Sequence, residues 1–224
     1  MTAILIHGCH LEARNWDDIM WGNPRAGRLG RVPKGILEAQ KHGADTIIFS
    51  TGASHRNGVK EGEVIYQETL ARLDELTGLT GMWRWQLNRW LGKRHVLELT
   101  SQNTREEVLA SARIARDRGA RRLILVSSPT HVLRCHQAAI SVLNSDSQLR
   151  HFLDNLYAVA SDTSFADSTV DDVVIVEPPH RGDMPNVPIH KTLGGIFPLM
   201  RREDVAVAFN EELRQLIEKH RATL

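Results

Sequence analysis

Short apolar runs alternate along the chain with longer amphipathic stretches. Ala3–Ile6, Thr46–Phe49, His95–Leu99, Leu123–Val126 and Val173–Val176 read as strands. The most continuous of them, Leu123–Val126, has the pattern of a strand buried on both faces. Between and after them, Val32–His42, Glu61–Glu75, Thr104–Arg118, His131–Leu143 and Asp204–His220 read as helices. Gly43 and Gly119 stop the first and third of these helices. Strands separated by helices predict right-handed βαβ crossovers and a mostly parallel sheet. The expected fold class is α/β, as a single domain over the whole chain. Inserts are read at 11–30 and 79–94, with an extension from about residue 145.

Two stretches resist the alternation. Leu11–Gly30, rich in Gly, Trp and Arg, reads as a long functional loop. Glu177–Pro198 carries five prolines and is too long for a simple connector. Both are expected to close over a site.

In parallel sheets the ligand site lies beyond the carboxyl ends of the strands. Polar clusters follow four of the strands directly: His7-Gly8-Cys9-His10, Ser50-Thr51-Gly52-Ala53-Ser54-His55, Thr100-Ser101-Gln102-Asn103-Thr104 and Ser127-Ser128-Pro129-Thr130-His131. They are predicted to converge on one edge of the sheet.

Composition narrows the functional classes. With 28 Lys+Arg against 27 Asp+Glu the net charge is +1, so the whole chain offers no electrostatic footprint for nucleic acid or an anionic membrane. Cys9 and Cys135 cannot make a disulfide framework. No apolar stretch is long enough to span a bilayer and no signal segment is recognisable, so a cytoplasmic protein without a membrane anchor is expected. There is no Gly-x-Gly-x-x-Gly, Walker lysine loop or Gly-x-Ser-x-Gly elbow, which argues against a dehydrogenase, a P-loop NTPase and an ordinary α/β-hydrolase.

The clusters carry specific chemistry. Thr104 and Glu107 have capping-box spacing, which leaves Asn103 to face a ligand. His131 and Arg134 share a helix face, and an Arg in a first turn opposes the helix dipole unless an anion sits there. Glu61 opens a helix, where its charge is favourable on dipole grounds alone. His7-x-x-His10 with Cys9 has the look of a metal fragment, yet no third ligand at recognised spacing accompanies it, so no metal is assigned. Trp83, Leu87, Trp90 and Leu91 fall on one helical face and read as packing or a homo-oligomer contact, with Trp85 off the stripe.

Taken in order, Arg31-Val32-Pro33-Lys34-Gly35-Ile36, Ser50-Thr51-Gly52, Lys60-Glu61-Gly62-Glu63-Val64, Ser101–Glu107 and Thr130-His131-Val132-Leu133-Arg134 resemble the YdcF-like family, the ElyC/SanA group. The resemblance covers about Ala3 to Val142, with Thr51, Lys60 and Gly62 departing from the family pattern. It implies a three-layer α/β/α sandwich with a Rossmann-like sheet, an association with envelope metabolism, and S-adenosylmethionine as a possible cofactor.

The leading reading is a hydrolase of a phosphorylated or nucleotide-like small anion. Arg31 and Arg134 would hold the anion, with donors from Gly52, Asn103 and Thr104. His7, Ser128, His180 and Arg181 complete the substrate-binding candidates, and Glu61 or His131 supplies acid–base chemistry. The alternative is a nucleotide or S-adenosylmethionine binding protein without hydrolytic activity. No nucleic-acid partner is expected.

Overall fold

The computed structural model describes residues 1–165 and, beyond them, helical backbone at positions 208, 211, 212, 215, 218 and 219. The last six fall within the closing helix expected from the sequence. The strand expected at Val173–Val176, the proline-rich stretch, His180 and Arg181 lie outside the described residues. Two units divide the chain, Met1–Thr169 and Val170–Leu224.

In chain order the first unit contains β1 (Thr2–Ile6), α1 (Trp16–Met20), β2 (Gly22–Asn23), β3 (Arg28–Leu29), α2 (Arg31–Lys41) and β4 (Thr46–Ser50). There follow β5 (His55–Arg56), β6 (Val59–Lys60), α3 (Glu61–Ala71), α4 (Leu73–Thr80), α5 (Arg84–Gly92) and β7 (His95–Glu98). The unit continues through α6 (Thr104–Asp117), β8 (Arg122–Ser127), α7 (Pro129–Ser145) and β9 (Leu156–Ala160). Five strands make one all-parallel sheet in the order β7-β4-β1-β8-β9.

Alternation along the strands builds two cores. Ile4 and Ile6 of β1 pack with Ile47, Phe49, Ile124 and Val126 against α1 to α5. Ala3 and Leu5 point the other way, with Ile48, Leu123 and Leu125, against α6 and α7. The result is a three-layer, Rossmann-like sandwich. β1 is central, with β4 and β7 on one side and β8 and β9 on the other.

Several boundaries differ from the sequence reading. A strand at Leu156–Ala160, paired with β8, is absent from the sequence reading. It is half exposed, so it lacks the continuous apolar signal. The helix read as Glu61–Glu75 breaks at Arg72, and a second helix carries Leu73 and Leu76 into the core. The 11–30 stretch is not an open loop: Trp16, Ile19 and Met20 are buried on a short helix and Trp21 is buried as its C-cap, a helix too short to give a periodic signal. Trp83 precedes α5 as its N-cap, so helical spacing does not govern it, and it is 73% exposed. Leu87 and Leu91 are buried, and Trp85 is exposed.

Candidate functional site

The chain leaves β1 to build β4 and β7 on one side, and later builds β8 on the other. The loops after β1 and β8 therefore diverge at this switch point, the place where a parallel sheet of this kind binds its ligand. His7 extends the β1–β8 pairing, its N–H donating to the Val126 carbonyl at 3.1 Å. It continues the parity of Ala3 and Leu5, so its ring turns toward α6 and α7.

Arg31 ties the two diverging ends together. It is the first residue of α2 and is fully buried. Its Nε donates to Ser128 Oγ at 3.0 Å. Its Nη1 donates to the His7 carbonyl at 3.2 Å and to the Gly8 carbonyl. The Phe165 ring lies 5.5 Å from the guanidinium carbon. Among the described residues no carboxylate forms an ion pair with Arg31, and Nη2 has no hydrogen-bond partner. A buried guanidinium in that state is unusual, because a charge out of water needs a counter-charge or a full set of acceptors.

Two carboxylates hold the loop after β1. Glu61 Oε1 accepts from the N–H groups of Cys9 (2.6 Å) and His10 (2.9 Å), and Oε2 accepts from the Ser54 hydroxyl (2.7 Å). Burial raises the Glu61 carboxyl to about 6, against the lowering effect of the Ser54 and Cys9 bonds. A Cβ on Gly8 would sit 2.7 Å from Glu61 Oε1, so only glycine lets the carboxylate reach under the turn. Burial pushes the Cys9 thiol up to about 12.

Glu107 projects from α6 to the other side of the same turn. Its Oε2 lies 2.6 Å from His7 Nδ1, and its Oε1 accepts from the Gly8 N–H at 3.2 Å and from Ser50 Oγ. Burial opposes a charge on Glu107, but the His7 ring and these donors more than offset it, so its pKa is lowered. Burial likewise opposes a charge on His7. Cys135 and Glu107 outweigh it and raise the imidazole to about 10. His7 is fully buried and its Nε2 has no partner.

The start of α7 stands at the same switch point. Pro129 occupies the first turn, where a missing N–H costs nothing. Ser128 is the N-cap, but its hydroxyl serves Arg31 rather than the helix. His131 Nδ1 lies 2.9 Å from Ser127 Oγ and 3.3 Å from Cys135 Sγ. The His131 and His7 rings meet edge to face at 6.2 Å. The Thr130 hydroxyl is buried and without a partner. Because the helix begins at Pro129, half-buried Arg134 is its sixth residue, beyond the first turn, and the dipole argument for an anion beside it loses its force.

The β4 and β7 ends form a neighbouring, internally satisfied cluster. Gly52 packs so closely that a Cβ would lie 2.1 Å from the Leu99 carbonyl. Glu98 Oε1 accepts from the N–H groups of Thr100 (2.8 Å) and Ser101 (2.9 Å). The expected Thr104/Glu107 capping box does not form, because the N-cap is Asn103, one residue earlier. Asn103 Oδ1 accepts from the Glu106 N–H at 3.0 Å, and Glu106 accepts from the Gln102 N–H at 2.8 Å. The Asn103 side chain therefore serves the helix end and lies in the open, while Thr104 is buried. That shift frees Glu107 for His7.

The structure thus gathers His7, Arg31, Ser128 and His131 at the switch point. Glu61 backs the turn, and Gly52, Asn103 and Thr104 stand along the same edge. Sequence reasoning placed Ser50, Ser54 and Thr130 in the converging clusters without giving them a role, and missed Glu107 and Cys135 as site residues. Glu107 was legible as a helix-start carboxylate, but its partner lies 100 residues away. Among the described residues, no group of three or more His, Cys, Asp or Glu side chains is placed to hold a metal ion. Likewise, no helix is long and apolar enough to cross a membrane. Comparison with protein-family models, with curated proteins and with solved structures finds no match.

Proposed function

We propose that this protein is a divergent YdcF-like hydrolase of a phosphorylated or nucleotide-like small anion, bound at the β1–β8 switch point. The observation that carries the reading is Arg31, buried with no carboxylate in ion-pair contact and with one guanidinium nitrogen unpartnered. An anionic oxygen there would complete its hydrogen bonds and balance its charge. The bond broken is a phosphorus–oxygen bond. His131 is the acid–base group for the attacking water, because it opens α7 at the switch point and carries an imidazole there. Glu61 acts as a positioning residue, since both its oxygens are engaged in holding the turn.

Thermal unfolding across a panel of phosphate esters, nucleotides and S-adenosylmethionine, with product analysis of the same mixtures, tests this. Stabilisation by a phosphate-bearing compound together with release of inorganic phosphate is expected. Stabilisation without turnover would favour a nucleotide or S-adenosylmethionine binding protein, and no stabilisation by any anion would overturn the reading.

A further inference from the structure

Arg31 is not the only buried donor at the switch point that lacks a partner. His7 Nε2 and Thr130 Oγ1 share that state, and all three residues are more than nine-tenths buried. They come from separate elements that the Arg31 guanidinium links. It bonds the carbonyl of His7 on one side and Ser128, two residues before Thr130, on the other. A buried polar atom left without a partner calls for an explanation.

Glu107 determines what His7 is. Its carboxylate lies 2.6 Å from Nδ1 and is itself held by the Gly8 N–H and Ser50. The ring cannot turn away, so Nε2 is the nitrogen left for a ligand. The titratable groups around His7 are Glu107 from α6, Cys135 and His131 from α7, Arg31 from α2, and Glu61 behind Gly8. Of these, Glu107 is the one in direct ion-pair contact.

Building on the proposed anion site, we propose that His7, held by Glu107, is a second buried cation, and that the site takes the terminal phosphoryl group of a phosphomonoester in preference to a phosphodiester. A monoester presents three non-bridging oxygens and close to two negative charges at neutral pH. Three unpartnered donors, two of them cationic, match that set. A diester has one charge and two free oxygens, and needs room for chain on both sides. Donors this deeply buried admit only the end of a molecule. Glu107 is a positioning residue, which acts through His7 and does not touch the ligand.

The test is calorimetric titration with phenyl phosphate and with methyl phenyl phosphate. At pH 8 the wild type should bind phenyl phosphate at least about tenfold more tightly than the diester. Glu107→Gln should weaken phenyl phosphate binding by about tenfold at pH 8 and leave methyl phenyl phosphate binding little changed, because burial removes the His7 charge once the carboxylate is gone. His7→Gln, which keeps a donor without the charge, should lose the monoester preference as well, and it stands as the test if Glu107→Gln does not fold. Equal wild-type affinity for the two esters would overturn this inference while leaving the anion site intact. So would a folded Glu107→Gln variant that weakens both esters equally. Binding of neither ester would overturn both.

Discussion

Arg31 donates to three acceptors that belong to two different strand ends, so its replacement has two separable consequences. Arg31→Met should keep the packing of the stem but leave the His7 and Gly8 carbonyls without a donor, at a cost of about 2–3 kcal/mol in urea unfolding. Arg31→Lys keeps the charge but cannot span both ends, so it should lose less stability and still weaken phenyl phosphate binding by about tenfold or more. Glu61 leaves a signature in pH. Its carboxyl sits at about 6 in the folded protein against an ordinary 4.5, so the folded state binds the proton more tightly than the unfolded chain. Stability from this group is therefore full below about pH 4.5 and falls as pH rises through 6, by about 2 kcal/mol. Glu61→Gln should flatten that decline, seen as a smaller change of Tm between pH 4.5 and 7.

At the scale of the element, capping and burial separate residues that look alike in the sequence. Asn103 caps α6, so Asn103→Ala should cost about 1 kcal/mol and Asn103→Asp should restore it. The tryptophan segment divides in the same way. Leu91 is fully buried and Trp85 is 64% exposed. Leu91→Ala should cost about 2–5 kcal/mol, while Trp85→Ala should stay within about 0.5 kcal/mol, both by chemical denaturation. Continuous apolar runs made β1, β4 and β8 legible, because both of their faces are covered. Half-exposed β9 and the short helix α1 lacked that redundancy and were not.

For the molecule as a whole, a net charge of +1 supplies little long-range attraction, so the proposed anion site would depend on its buried donors. Buried charges are screened less than exposed ones. Raising salt from 0.05 to 0.5 M should therefore weaken phenyl phosphate binding by less than about tenfold, measured by titration at constant pH. A loss of several orders of magnitude would place the anion on an exposed cationic surface instead.

The order of apolar runs and helices was enough to define the class of fold and the edge on which the polar clusters gather, because strand burial and crossover handedness are local and general. The candidates His7, Arg31, Ser128 and His131 were readable for the same reason, each lying just beyond a strand or at the start of a helix. What each does was decided only by the tertiary structure. Glu107 reads as one carboxylate among several on α6 until folding sets it 2.6 Å from His7. Glu61 looks like a dipole-stabilising residue until three donors from two other segments close on it. Charge and hydrogen bonding depend on neighbours distant in the chain, and the pattern of one sequence carries no record of those distances.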